Sequence, residues 1–286
     1  MPGEWPRRDG ANAVIPGTRA GWEIGVSRPA ADGRAWVSSV ISRLTVPCLC
    51  CLLLSCNGKD PNAPRWSEGQ LTLVTSFSLD IDELSGLALD ASGTSLWTVG
   101  ARRVYRLSLG GQVQKLDFKG DNLEGIASDP SDGTLWVVEE KRREILHLDG
   151  RGEVLARRQL DLEGKESSGP EGICLDPSGA IFVLNEKNPG LFVTLAADLS
   201  IASQRELDFA KDFSGLDCDG GSGRFWVVSD QSRMLFLWSP DTGVISAYPL
   251  PFDKAEGVAV DASTGQIYIV SESESRLYVY SVEFPE

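Results

Sequence analysis

Ser168-Gly-Pro-Glu-Gly-Ile-Cys-Leu-Asp-Pro-Ser-Gly-Ala-Ile-Phe-Val-Leu-Asn-Glu-Lys187 is the stretch on which the fold turns. It reads as a short apolar strand opened by Glu171-Gly172 and closed by Asp176, a turn over Pro177, Ser178 and Gly179, and a second apolar strand ending at Glu186. Aligned on the first Gly, copies of this unit fall at Gly86, Gly125, Gly172, Gly215 and Gly257, with spacings of 39, 47, 43 and 42. Four positions on, every copy has an Asp: Asp90, Asp129, Asp176, Asp219 and Asp261. Ten or eleven positions on, every copy has an aromatic: Trp97, Trp136, Phe182, Trp226 and Tyr268.

Each copy continues with a third strand, as in Met234-Leu-Phe-Leu-Trp238, and usually a fourth, as in Val154-Leu-Ala-Arg-Arg-Gln-Leu160. Four short strands in about 43 residues is the size of a propeller blade. A lone four-stranded sheet cannot bury both faces, whereas five arranged around an axis bury them against one another. The sequence therefore predicts an all-β, five-bladed β-propeller over residues 70–286. The last copy holds only three strands, and Leu71-Thr-Leu-Val-Thr-Ser-Phe-Ser-Leu79 has the length and alternation to supply the fourth. Pairing of that segment with Leu277-Tyr-Val-Tyr280 is expected to close the ring and cover its open edges. The repeat Asp residues are expected to cap turns and the aromatics to pack between blades.

Ahead of the repeats, residues 1–36 show no hydrophobic period and are expected to be disordered or untranslated. Arg43 and the apolar run from Leu44 to Cys56 have the make-up of a secretory signal peptide, placed at 37–55, and are too short for a membrane-spanning helix. Leu53-Leu-Ser-Cys56 resembles a bacterial lipobox, which makes Cys56 the expected lipidated N-terminus and residues 56–69 a polar tether. The expectation is a monomer anchored to a membrane of the cell envelope by lipid and facing the periplasm. Asn57 after the lipidated Cys favours the outer membrane, by resemblance to the lipoprotein sorting rule.

A formal net charge of -14 argues against a nucleic-acid partner, which needs Lys and Arg in excess on one face. Of six cysteines only Cys174 and Cys218 lie in the repeats. They stand at +2 and +3 from the repeat Gly, point to opposite faces of their strands, and are expected to stay unbridged. The lone histidine, His147, sits within a third strand and reads as a partly buried strand residue rather than a base. Away from the mouth, His147 makes a Ser-His-Asp triad unexpected unless the fold brings its partners to it, and one histidine excludes a His-rich zinc site.

In a propeller the start of each first strand and the end of each second strand share one mouth of the channel. That gathers Ser85, Glu124, Glu171, Ser214 and Glu256 with Glu139, Glu140, Asn185, Glu186, Asp230 and Glu272. Two compensations for so many carboxylates are open. Calcium takes six to eight oxygen ligands, for which Glu124, Glu171 and Glu256 with Asn122 or Asn185 are the candidates. Alternatively, Arg102, Arg103, Lys141, Arg142, Lys187, Arg233 and Arg276 pair with the acids.

The motifs Leu84-Ser-Gly-Leu, Leu123-Glu-Gly-Ile, Pro170-Glu-Gly-Ile, Phe213-Ser-Gly-Leu and Ala255-Glu-Gly-Val, with Trp136-Val-Val-Glu-Glu140 and Tyr268-Ile-Val-Ser-Glu272, resemble the SdiA-regulated, YjiK-like family of bacterial envelope proteins. The resemblance covers roughly residues 70–284 and implies a five-bladed propeller, an envelope location and a bound calcium, as in similar propellers. It implies no established activity. The first copy departs from the pattern, with Gly100-Ala101 where later copies have an acid. Two functional readings follow: a module binding an unknown protein or small-molecule ligand at the acidic mouth, or a calcium-dependent hydrolase of the lactonase, esterase or phytase-like kind.

Overall fold

Strands in this chain run four to a blade, each blade stepping outward from the channel. A computed structural model describes residues 66–162, 164 and 168–282, all within one of the chain's two compact units; the other, Pro6–Ala63, lies outside the described residues. Cys56, the signal-peptide segment and residues 1–36 therefore fall outside them too. Two strands precede the blades, β1 (Ser67–Glu68) and β2 (Leu71–Ser78). Blade one holds β3 (Ser85–Leu89), β4 (Ser95–Gly100), β5 (Arg103–Ser108) and β6 (Val113–Lys115), and blade two holds β7 (Leu123–Ser128), β8 (Leu135–Glu139), β9 (Glu144–Leu148) and β10 (Val154–Gln159). Blade three holds β11 (Pro170–Leu175), β12 (Ile181–Asn185), β13 (Leu191–Leu195) and β14 (Ile201–Glu206). Blade four holds β15 (Gly215–Cys218), β16 (Phe225–Ser229), β17 (Met234–Ser239) and β18 (Gly243–Pro249). Blade five holds β19 (Ala255–Asp261), β20 (Gln266–Ser271) and β21 (Arg276–Val282), completed by β2.

The ring closes as the sequence predicts. β2 pairs antiparallel with β21, with Phe77 opposite Leu277 and Leu73 opposite Tyr280. One addition was not foreseen: β1, from the stretch read as tether, lies parallel on the outer edge of blade four, with Ser67 opposite Ser246. Trp66 holds it there by packing edge-on to Phe236 at 6.4 Å. Among the described residues no helix is long and apolar enough to cross a membrane.

Five apolar clusters fill the five junctions between neighbouring blades. The repeat aromatics Trp97, Trp136, Trp226 and Tyr268 are buried in them, while Phe182 is partly buried. His147 stacks on Trp136 with ring centroids 4.1 Å apart and bonds Thr134 Oγ1 through Nε2, a strand position as expected. The repeat Asp residues cap turns: Asp90, Asp129, Asp176 and Asp261 each accept a main-chain N–H, and Asp219 instead takes Arg224 and Ser222.

The repeat Gly marks where the inner strands of adjacent blades meet backbone to backbone. A Cβ on Gly125 would lie 2.2 Å from the carbonyl oxygen of Glu171, and one on Gly257 would lie 2.6 Å from the backbone of Gly86. Only glycine permits five strands to converge on so narrow an axis.

The expectation about the cysteines is overturned. Cys174 of β11 and Cys218 of β15 form a disulfide across the junction of blades three and four, with Cα atoms 5.7 Å apart. Alternation does put them on opposite faces of their strands. Consecutive blades, however, stack front to back, so opposite faces of two neighbouring inner strands are the ones that face each other.

Candidate functional site

One end of the channel opens into a cavity of about 350 Å³ lined by nine carboxylates and two lysines. Local geometry explains how the acids come to point there. In blades two, three and five the pairing of first and second strands skips one residue, and the skipped residues are Glu124, Glu171 and Glu256. Each is therefore the extra residue of a β-bulge, the device that re-aims a side chain out of a ladder. Bulging turns these three glutamates into the channel.

The second contribution comes just past β8, β12, β16 and β20. Glu139, Asn185, Ser229 and Ser271 end these strands and are buried, whereas the following residues, Glu140, Glu186, Asp230 and Glu272, line the mouth. Two sequence candidates are thus displaced. Asn185 is fully buried, with Nδ2 donating to the carbonyl of Pro189 at 2.7 Å, and Glu139 accepts the N–H of Asp121 at 2.9 Å. Both fasten nearby loops, because strand alternation turns the last paired residue into the blade junction and the next one into the opening.

A third set, three positions before the repeat Gly, was read from sequence only at Asn122. It comprises Glu83, Asn122, Gly169, Asp212 and Lys254, of which all but Gly169 line the cavity. Glu83, Asn122 and Lys254 adopt left-handed backbone with φ of 49°, 59° and 56°. Such strain in non-glycine residues concentrates at functional positions. Alignment on this offset was the available signal.

The three sets interlock. The N–H groups of Glu140, Glu186 and Glu272 donate to the carbonyls of Asn122, Gly169 and Lys254, respectively. This builds the same three-residue arrangement in blades two, three and five. In blade two, Asn122 Nδ2 bridges Glu124 Oε1 at 2.9 Å and Glu140 Oε2 at 2.7 Å. In blade five, Lys254 Nζ sits 2.9 Å from Glu272 and 3.8 Å from Glu256. In blade three the bridging position is Gly169, where a Cβ would lie 2.6 Å from the carbonyl oxygen of Glu140.

Oxygens of Glu140, Glu171 and Glu186 all lie within 4.8 Å of one another around this gap. Calcium-to-oxygen bonds of about 2.3–2.6 Å suit such a spacing, and the donor set is all oxygen. The residues therefore fit a hard cation, although the set differs from the one expected. Of Glu124, Glu171 and Glu256, only Glu171 belongs to it.

Burial and mutual repulsion leave the mouth carboxyls short of charge compensation. Burial, then the charge of Glu140, pushes Glu124 up to about 7. Burial, then Asp230, takes Glu256 to about 8 despite the ammonium of Lys254. Burial, reinforced by Glu124, Glu256 and Glu140, raises Glu171 well above the carboxylate range. Of the seven basic residues expected to neutralise the mouth, Lys187 alone lines it, paired with Glu186. Arg142, Arg233 and Arg276 pair with Asp121 and Glu139, Asp253, and Glu274, away from the opening.

Fold and site together define a five-bladed β-propeller with an acidic, bulge-built channel mouth. The SdiA-regulated family model matches residues 74–281, most of the chain, and the chain belongs to that family. Among curated proteins no match is found. Similar solved structures include the Myxococcus xanthus glutaminyl cyclase, with a TM-score of 0.60 and 15% identity, covering 77% of this chain and 100% of that one. Another is a gluconolactonase from Xanthomonas campestris, with a TM-score of 0.51 and 15% identity, covering 72% of this chain and 88% of that one. At such identity these likenesses establish the fold alone.

Proposed function

We propose that this chain is a membrane-anchored, extracytoplasmic binding module whose channel mouth holds a hard divalent cation, calcium foremost, at Glu140, Glu171 and Glu186. The observation that carries the reading is the convergence of three carboxylates over Gly169, with no side chain at the bridging position. Bound calcium would neutralise the cluster and offer remaining coordination positions to oxygen atoms of a ligand. Asn122 orients Glu140 for this task through its amide bond. The Cys174–Cys218 disulfide supports an oxidising compartment, and the lipobox-like Leu53-Leu-Ser-Cys56 supports the anchor.

Calcium should raise the melting temperature of the wild type, and Glu171→Gln should abolish that rise; an equal rise in both proteins would refute the assignment. For the anchor, a palmitate analogue should label the wild type, and a Cys56→Ala protein still fractionating with membranes would remove the lipid from the account.

A second reading, a calcium-dependent hydrolase, is favoured by Glu124 and Glu256, whose carboxyls burial pushes up to about 7 and about 8. Groups poised near neutrality suit general acid and base roles. Turnover of any lactone, ester or phosphoester in a panel assayed with and without chelator supports it; no turnover leaves the binding module.

A further inference from the structure

Three blades carry the same pair of inward carboxylates, and two of them fill it with a nitrogen donor of their own. Blade five places the ammonium of Lys254 between Glu256 and Glu272, at 3.8 and 2.9 Å. Blade two places the amide of Asn122 between Glu124 and Glu140, at 2.9 and 2.7 Å. Blade three has the pair, Glu171 and Glu186, and the same main-chain bond fixing its geometry, from the N–H of Glu186 to the carbonyl of Gly169. Its bridging side chain is missing.

Among the described residues, none donates a hydrogen bond to the carboxyl of Glu171; Lys187 ion-pairs with Glu186 and acts on Glu171 only as a nearby charge, without bridging the two carboxylates as Lys254 does. The repeat thus shows, within one molecule, what the empty position accepts: Lys254 is a tethered alkylammonium seated on the equivalent oxygens. We infer that the gap over Gly169 binds the protonated primary amine of a ligand, such as a lysine side chain or a peptide N-terminus, as a third member of this series. The inference rests on the reading of the mouth as a cation site and names the class of organic ligand that site takes. A cavity of about 350 Å³ leaves room beside the slot for the carbon chain that carries the amine. An ammonium brings three N–H donors on a compact charge, and charge-assisted bonds to buried carboxylates are the strong ones. Amine and calcium occupy the same oxygens and therefore compete.

The test is a calorimetric titration of the folded protein with n-butylammonium at constant ionic strength, with tetramethylammonium as a cation lacking N–H donors. The expected result is one n-butylammonium per chain, no binding of tetramethylammonium, and displacement by calcium. Glu171→Gln should weaken the amine at least about tenfold, the loss of a charge-assisted hydrogen bond. Lys254→Gly copies the blade-three arrangement into blade five, relieves a left-handed residue, and should raise the stoichiometry from one amine to two. Equal binding of both ammonium ions, or an unchanged affinity in Glu171→Gln, overturns the inference. Calcium binding without amine binding overturns the amine and leaves the metal; amine binding without calcium does the reverse; neither binding removes both. If Lys254→Gly does not fold, the Glu171→Gln comparison decides alone.

Discussion

The folded protein should lose stability as the pH rises from 5 to 8 in the absence of divalent cations. Glu124 and Asp217 are pushed to about 7 and Glu256 to about 8, in each case chiefly by burial, against 4.5 for an ordinary Glu and 3.8 for an ordinary Asp. A carboxyl whose pKa is higher in the folded chain keeps its proton there after the unfolded chain has released it. Its contribution is complete below the unfolded value and disappears as pH rises through the folded one. Each such proton is worth about 1.4 kcal/mol per pH unit inside that window. Glu124 and Glu256 repel each other and share protons, so the pair is counted as one proton, and with Asp217 left out of the sum the result is a floor. From pH 5 to 7 this amounts to ~3 kcal/mol, or roughly 6–12 °C of melting temperature for a domain of this size. Asp149, held low by the N–H of Glu153, and Asp198, held low by the Ser200 hydroxyl, act with opposite sign but only near and below pH 4. The assay is a series of thermal melts in chelator from pH 5 to 8, repeated with Glu256→Gln, which should flatten the slope. A melting temperature that is level or rises over this range in the wild type would refute the assignment of buried, uncompensated carboxyls.

Further outcomes follow from the scaffold. Deleting residues 71–80 removes the outer strand of blade five and should abolish the cooperative transition; a surviving sharp melt would show that ring closure is dispensable. Trp226→Ala empties a fully buried ring from the junction of blades four and five and should cost about 3–5 kcal/mol in denaturant titration. Cys218→Ser opens a crosslink between residues 44 apart, and the loop-closure model assigns such a bridge about 4 kcal/mol. Peptide mapping without reductant should recover Cys174 and Cys218 linked in the wild type.

Blade count and ring closure were legible because Gly, Asp and aromatic positions recur in every copy, and each answers a local demand that no tertiary context changes. Glu124, Glu171 and Glu256 were legible for the same reason, standing directly before the repeat Gly. What stayed hidden depends on relations between copies. Glu140 and Asn185 looked equivalent at strand ends, yet one further step of alternation separates a mouth residue from a junction residue. Gly169 carries no chemistry in a sequence, and its meaning appears only beside Asn122 and Lys254. The Cys174–Cys218 bridge was missed because face assignments within two sheets say nothing of how those sheets stack.

Calorimetric titration of calcium into the chelator-treated protein at pH 8, wild type beside Glu171→Gln, tests the central claim most directly. One bound ion per chain is expected in the wild type, weakening toward pH 6 as protons compete for the same carboxyls, with binding lost in the variant. Absence of heat in the wild type, or equal binding by both proteins, would contradict a cation site over Gly169.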